Sequence, residues 1–144
     1  MVKPDGVQRA KMGEIIQKFE RRGFKLSAMK LLQDKEGIIL AKHYEEHKGK
    51  PFYDRLVNYM KSGPMLAMVW EGTDVIKTSR KIIGATNPLE REAATIRFDH
   101  SITNNCVIHG SDSVESAERE ISIWFKADEV AKWDAHGEKW VYEK

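Results

Sequence analysis

The sequence predicts an α+β sandwich: a small, mainly antiparallel sheet with helices packed on one face. Three observations carry this. Apolar residues switch along the chain between helical spacing and strand-like alternation. The predicted elements run strand, helix, strand, helices, strand, helix, loop, strand, helix. The length, 144 residues, suits one compact domain with a real core, spanning 1–144. A parallel α/β arrangement competes, because strands and helices do alternate.

The chain opens "MVKPDGVQR". Pro4, Asp5 and Gly6 read as a turn, so any strand before Lys3 is a stub at Met1-Val2. Met12, Ile15, Ile16 and Phe19 recur at i, i+3, i+4 and i+7, which predicts a helix ending near Gly23. In "FKLSAMKLL" the residues Phe24, Leu26 and Ala28 alternate against Lys25 and Ser27, as in a strand. A helix is expected from Glu36 to His47. Pro51 can open another through "FYDRLVNYM", which Gly63 and Pro64 end. "MLAMVW", Met65 to Trp70, reads as a buried strand, and "DVIKTSRKII" as a helix with Asp74 near its start and Gly84 after its end. Residues Ala85 to Asn105 read as loop around Asn87-Pro88, followed by a strand remnant at "CVI". Val114, Ala117, Ile121, Trp124 and Phe125 share one face of a helix over Ser113–Phe125, with Asp112 and Glu115 as a capping pair. The tail "GEKWVYEK" carries Trp140 and Tyr142 and is expected to pack on the body of the domain.

Composition narrows the function classes. Hydrophobic residues are 41% and charged residues 32%, ordinary globular usage. A net charge of +2 is too small to indicate a dedicated nucleic-acid binder. The one cysteine, Cys106, allows neither an intramolecular disulfide nor a CxxC metal site. That fits a reducing compartment, and a cytoplasmic location is expected. No apolar run approaches the length of a membrane span, and the first residues lack a signal peptide's apolar core.

The chemistry concentrates in "NCVIHGSDSVESAEREISIWF", residues 105–125. A strand that ends in His109 and feeds a helix places the imidazole at a helix N-terminus. Unpaired N–H groups and a partial positive charge there favour a phosphate or another anion. Gly110 would let a ligand approach the backbone. Glu120, on the border of the apolar stripe, could reach one imidazole nitrogen, fix the tautomer and leave the other nitrogen as a nucleophile. A hydrogen-bonded structural role for His109 fits the same pattern. His43 and His47 are i, i+4 but lack an HExxH context, so they read as a solvated face rather than a zinc site. Neither GxxxxGK[ST] nor GxGxxG occurs. A nucleotide's phosphates would have to be neutralised by individual cations, for which Lys3, Arg80 and Arg97 are candidates near predicted turns or loops.

"KPDGVQR" (3–9), "GEIIQKFERRGFKL" (13–26), "SGPMLAMVWEG" (62–72), "TNP" (86–88), "TIR" (95–97) and "HGSDSVESAEREISIWF" (109–125) together resemble nucleoside diphosphate kinases, in the same order and with nearly constant spacing. The resemblance implies a ferredoxin-like α/β sandwich with a four-stranded antiparallel sheet, assembled into homo-hexamers, or tetramers in some branches. It implies a ping-pong exchange in which the γ-phosphate of a nucleoside triphosphate moves to His109 and then to a nucleoside diphosphate, with Mg²⁺ bridging the phosphates. By position, Glu120 and Ser111 match the groups that hold the histidine. Lys3 and Tyr44 match the pair near the transferred phosphoryl group, with Lys3 also close to the ribose. Phe52 matches the aromatic under the base, and Arg80, Thr86 and Arg97 match the groups that hold the diphosphate. A catalytically weakened nucleotide-binding or scaffold member of the same fold is the alternative.

The sequence departs from that pattern in three places. The family's ribose-contacting Asn stands three residues before the histidine, where this chain has Cys106, while Asn105 stands four before. On a strand one residue of shift reverses the face, so either Asn105 reaches the ribose through a bulge or the contact is lost. Ala93-Ala94 replace a usual Pro-Gly before "TIR", and the Asp99–Asn105 loop is shorter. The family's first strand is cut to Met1-Val2, which suggests that the natural chain starts upstream or that the sheet is altered.

Overall fold

The computed structural model describes residues 1–104 and 107–143. In order, its elements are α1 (Pro4–Gln8), α2 (Met12–Arg22), β1 (Lys25–Leu32), α3 (Ile38–His43), α4 (Tyr53–Lys61), β2 (Met65–Glu71), α5 (Val75–Ile83), α6 (Ile96–His100), α7 (Val114–Trp124) and α8 (Glu138–Val141). Short 3₁₀ turns lie at Glu45–His47, Pro88–Glu90 and Ala127–Glu129.

Among the described residues a regular ladder forms between β1 and β2. They run antiparallel from Lys25↔Glu71 to Leu32↔Met65, with an irregularity between Leu26 and Ala28. The two other strands expected from the resemblance are marked by single bridges: Val2 pairs with Leu66 on one side and with Ile108 on the other. The Met1–Lys3 stretch runs directly into α1, which begins at Pro4. It is still firmly held. Val2 N–H donates to Leu66 O at 2.8 Å, Lys3 N–H to Val107 O at 2.8 Å, and His109 N–H to Met1 O at 2.8 Å.

Helices pack against both faces of β2, not one. In β2 the residues Met65, Leu66, Ala67 and Val69 are buried, with Met68 and Trp70 partly so, whereas Met29 and Leu31 of β1 stay more than half exposed. Met65, Ala67 and Val69 point into a cluster with Leu40, Tyr44, Met60 and Trp124 from α3, α4 and α7. Leu66 joins Val2, Ile15, Phe19, Ile83, Ile96 and Ile108 on the other side, under α2, α5 and α6. Each fully buried aliphatic side chain contributes roughly 1.5–3 kcal/mol, so the two clusters hold the layers around β2.

Local chemistry explains most element ends. Gly23 closes α2 with φ +99°, a left-handed conformation that glycine adopts without strain. The Pro-Asp-Gly segment is the first turn of α1, since Pro4 at a helix start has its φ already set. The expected Glu36–His47 helix is split. The buried Asp34 carboxylate accepts from Gly37, Ile38 and Leu40 N–H at 2.8–3.2 Å and fixes the start of α3, while a 3₁₀ turn follows Tyr44. The Ala85–Asn105 segment is more ordered than a loop. It holds α6, whose N-cap Thr95 Oγ1 accepts from Phe98 N–H, and a turn in which Asn87 Oδ1 accepts from Leu89 N–H. Elements this short carry no readable periodicity. The tail packs through Tyr142, whose hydroxyl accepts from Thr73 N–H, and Trp133, whose indole donates to Leu26 O, whereas Trp140 stays 83% exposed.

Ala94 has φ +70°, where the family pattern places glycine. A Cβ in that conformation costs about 1 kcal/mol or more. Ala94→Gly is therefore expected to raise the unfolding free energy by roughly 1 kcal/mol in denaturant titration, and an unchanged or lower midpoint would show that the backbone there is relaxed.

Candidate active site

His109 is placed by the backbone pairing of Ile108 with Val2 and by its own N–H bond to Met1. Gly110 follows, and a Cβ there would also crowd the Ile83 side chain at the end of α5. Arg80, exposed on α5, donates from Nη1 to Gly110 O at 3.2 Å. Helix α7 is capped by Ser113, not by the expected Asp112–Glu115 pair. Ser113 Oγ accepts from Ser116 N–H at 3.0 Å, and Ser113 has the extended backbone that a cap requires.

From α7, Glu120 Oε1 makes a short hydrogen bond with His109 Nε2, and Ser111 adds a side-chain hydrogen bond to Glu120. A carboxylate only accepts, so the His109 proton sits on Nε2 and Nδ1 carries a free lone pair. The imidazole is 28% exposed and Glu120 13% exposed, which keeps the pair reachable yet shielded.

His43 corrects the sequence reading. It faces the core rather than solvent, 7% exposed, at the end of α3. Its ring meets that of His109 edge-on, centroids 4.8 Å apart, and its Nε2 is 3.5 Å from Glu120 Oε1. Trp124 Nε1–H donates to His43 Nδ1 at 2.9 Å. No local signal in the sequence pointed to this. The periodicity of Trp124 on the α7 stripe was readable, but its partner was not.

A line of rings leads outward from this centre. Tyr44, 7% exposed, packs edge-on against His43 with centroids 4.6 Å apart, then stacks on His47 at 6.2 Å. His47 meets Phe52 at 5.3 Å, and Phe52 is 47% exposed at the start of α4. On the other flank, buried Arg97 donates to Gly84 O at 3.1 Å, to Thr86 Oγ1 at 3.2 Å and to Ile108 O at 3.3 Å, next to His109. The Lys3 charge bears directly on the His109 imidazole. Glu120 thus bonds the His109 ring with Ser111 behind it, Arg80 and Arg97 bond the carbonyls of Gly110 and Ile108 on either side of it, Thr86 is reached through Arg97, and Tyr44 and Phe52 are reached through His43 and His47. Asn105 and Cys106 lie outside the described residues, and so does the choice between them. Arg91 escaped the sequence reading: it is buried and donates to the carbonyls of Ala85, Thr86, Ser101 and Thr103, shaping the segment that carries Thr86 and Arg97.

Electrostatics follow from burial. Burial pushes the His43 imidazole down to about 3, helped by the nearby His109, so it is neutral. His109 is also held below its ordinary value, first by burial and against the raising effect of Glu120. Burial raises the Glu120 carboxyl, but the hydrogen bond and charge of His109 outweigh it, and Glu120 is held ionised. Burial pushes the Tyr44 hydroxyl well up, so it stays protonated.

Both histidines thus bind protons more weakly folded than unfolded. Their contribution to stability is complete above the ordinary value of 6.5 and is lost as the pH falls below it, toward about 3 for His43. Glu120 acts in the same direction below its ordinary value. Stability is expected to fall on acidification from pH 7 to 4 with a slope of up to about 1.4 kcal/mol per pH unit per histidine. Denaturant titrations across that range check it, and a flat profile would contradict the buried, neutral state.

His43, His109 and Glu120 offer ligand atoms within 4.8 Å of one another, a spacing that could suit a metal ion. The hydrogen bonding does not suit one. An indole N–H cannot accept, so His43 Nδ1 must accept from Trp124, and the proton of the neutral ring occupies the Nε2 that a metal would need. A cavity of about 530 Å³ also borders the pair, walled by Val69, Trp70, Ile76, Ile83 and Ile121. Its apolar walls do not suit a polyphosphate, and none of Lys3, Tyr44, Phe52, Arg80, Thr86 or Arg97 lines it.

A family model described as "Nucleoside diphosphate kinase" matches residues 1–130, most of the chain. The chain belongs to the nucleoside diphosphate kinase family. The human protein "Nucleoside diphosphate kinase 3" is 57% identical over 99% of this chain and 84% of its own length. "Nucleoside diphosphate kinase" of Saccharomyces cerevisiae is 52% identical over 99% of this chain and 93% of its own. Among solved structures, the nucleoside diphosphate kinase of Halobacterium salinarum in complex with CDP has a TM-score of 0.91 at 43% identity, covering 99% of this chain and 95% of that one. The Babesia bovis family protein has a TM-score of 0.91 at 42% identity, covering 98% and 95%. As a member of the nucleoside diphosphate kinase family this chain is a nucleotide kinase, a transferase.

Proposed function

We propose that His109 is the phosphoryl carrier of this nucleoside diphosphate kinase. The observation that supports it is the His109 Nε2–Glu120 hydrogen bond, which leaves Nδ1 as a bare lone pair. Nδ1 attacks the γ-phosphorus of a nucleoside triphosphate. The Nδ1–P bond forms, the bond from phosphorus to the bridging oxygen breaks, and its electron pair leaves with the diphosphate. The Nε2 proton stays in place, and the Glu120 carboxylate balances the positive charge that the phosphorylated ring acquires. A second nucleoside diphosphate takes the group by the reverse displacement.

Positioning and charge neutralisation carry most of such a reaction. Arg80, Arg97 and Lys3 meet the phosphates, and Thr86, bonded to Arg97, adds a hydroxyl. Tyr44 stays protonated and can donate to the transferring group. Ser111 steadies Glu120. Phe52, half exposed, offers a face on which any base can stack, and Asn105 is the candidate contact to the ribose. Mg²⁺, held by the nucleotide's own phosphates, would supply further charge neutralisation without a protein cage, in keeping with the poor fit of the His43–His109–Glu120 cluster to a metal. The nucleotide enters past Phe52 and Arg80, away from the apolar cavity.

The finer architecture we assign is the ferredoxin-like four-stranded sheet, in the order Ile108 segment, Val2 segment, β2, β1, which the single bridges support. Self-association is supported by apolar side chains left outside: Leu89 at 95%, Ile102 at 94% and Phe98 at 51% exposed, all in the segment after α5; the choice of a hexamer before a tetramer rests on the family resemblance alone. We place the protein in the cytoplasm on its lone cysteine. No helix among the described residues is long and apolar enough to cross a membrane.

Initial rates at several fixed concentrations of the second nucleotide test this reading. Parallel double-reciprocal lines are expected for a carrier that releases the first product before binding the next substrate. Intersecting lines would replace it with direct transfer, and no turnover would leave the scaffold reading.

A further inference from the structure

We propose that His43 is a positioning residue for His109: with its tautomer set by Trp124, it presents Nε2–H to Glu120 and keeps that carboxylate where it leaves His109 Nδ1 bare. The idea deepens the phosphoryl-carrier reading and rests on it for its kinetic arm, while its spectroscopic arm concerns the resting protein alone.

The geometry has one self-consistent proton arrangement. Trp124 Nε1–H can only donate, so His43 Nδ1 accepts and Nε2 bears the hydrogen. That nitrogen lies 3.5 Å from Glu120 Oε1, the same oxygen that takes the proton of His109. The opposite tautomer of His43 would set N–H against N–H at Trp124 and a lone pair against an anionic oxygen at Glu120. Burial disfavours the doubly protonated ring, as its lowered pKa shows. Three elements hold the arrangement. Glu120 and Trp124 are i and i+4 on α7, hence on one face. His43 closes α3 against that face. Arg119 Nη2 donates to Lys42 O at 2.6 Å, fixing the end of α3 one residue before His43.

The function of this arrangement is to remove freedom from Glu120. A partly buried carboxylate with one partner could rotate away from His109, or accept its proton outright. A second N–H close to Oε1 opposes both, because it stabilises the ionised form and its position. His109 then keeps its proton on Nε2 through both half-reactions. The other packed groups near this centre are Tyr44, edge-on to His43, and Arg119, whose charge adds to the lowering of the His43 pKa.

Three variants separate positioning from simple packing. His43→Leu keeps bulk but removes both nitrogens. His43→Gln offers an oxygen to Trp124 and an N–H to Glu120. Trp124→Phe removes the lock and leaves His43 and Glu120 intact. Nitrogen-15 NMR of the imidazoles reports which nitrogen of His109 is protonated. The wild type is expected to show protonated Nε2 and bare Nδ1 in His109, and His43→Leu and Trp124→Phe a mixture. The rate of phosphate transfer from ATP to His109 is expected to fall roughly tenfold to a hundredfold in His43→Leu, with nucleotide KM within about twofold. His43→Gln should recover most of the rate and the tautomer. An unchanged His109 tautomer in both His43→Leu and Trp124→Phe overturns the proposal. So does an equal loss in the Leu and Gln variants that tracks only their melting temperatures. If His43→Leu does not fold, the tautomer in Trp124→Phe decides. Should the wild type take up no phosphate at all, the carrier reading fails, but the tautomer measurement still judges His43.

Discussion

His109→Ala is expected to abolish phosphoryl uptake. Incubated with ATP and Mg²⁺, the unmodified protein should gain a phosphate that is labile in acid and stable in alkali, as a phosphorus–nitrogen bond is, and the variant should gain none. Turnover should drop by several orders of magnitude, because the loss removes the covalent route itself rather than a share of its stabilisation. Stability should change little. The imidazole is partly exposed, and its removal leaves Glu120 facing His43 and Ser111. Rapid transfer in a folded His109→Ala protein would show that another group carries the phosphate, and the assignment would fall with it.

Arg91→Ala is expected to produce the largest loss of stability outside the apolar core. Arg91 is 6% exposed and donates to the carbonyls of Ala85 at 3.1 Å, Thr86 at 3.0 Å, Ser101 at 2.7 Å and Thr103 at 3.1 Å. Truncation leaves acceptors without that donor and a space where the guanidinium was. Each buried group left unsatisfied costs about 1–3 kcal/mol, and water entering the space recovers part of it, so a net loss of roughly 3 kcal/mol or more is expected in denaturant titration. The same segment carries Thr86 and Arg97, so nucleotide KM should rise as well. A loss below about 1 kcal/mol, in the range of an exposed substitution, would show that the carbonyls are satisfied without Arg91.

The longer helices were legible, since α2 and α7 follow their apolar spacing, α2 stops at Gly23, and α5 runs between Asp74 and Gly84. So were both strands of the ladder, from the alternation around Lys25–Leu32 and the apolar run at Met65. Of the candidate site, His109, Glu120, Lys3, Arg80 and Arg97 were legible by residue type and place, with the His109–Glu120 contact readable from the border position of Glu120 on its helix, whereas Tyr44, Phe52 and Thr86 came only through the family resemblance. Short elements were not legible. Helix α6 rests on a Thr95 cap and the α1 turn on a proline start, and neither extends far enough to show a period. The cap of α7 was misplaced by one residue because Asp112 and Ser113 are equally suited by type, and the backbone conformation of Ser113 decides.

By itself the sequence carried the resemblance to the family in six segments spread along the chain, while residue type and spacing within a few turns determined the principal helices and marked His109, Lys3, Arg80 and Arg97 as candidates. The tertiary structure alone decided that helices pack on both faces of β2, that Arg91 organises the segment before α6, and that His43 lies beside Glu120 rather than in water. The physical reason is distance along the chain. A histidine's burial and its proton's position are set by what packs against it, and for His43 that partner is Trp124, 81 residues away, beyond the reach of any local pattern.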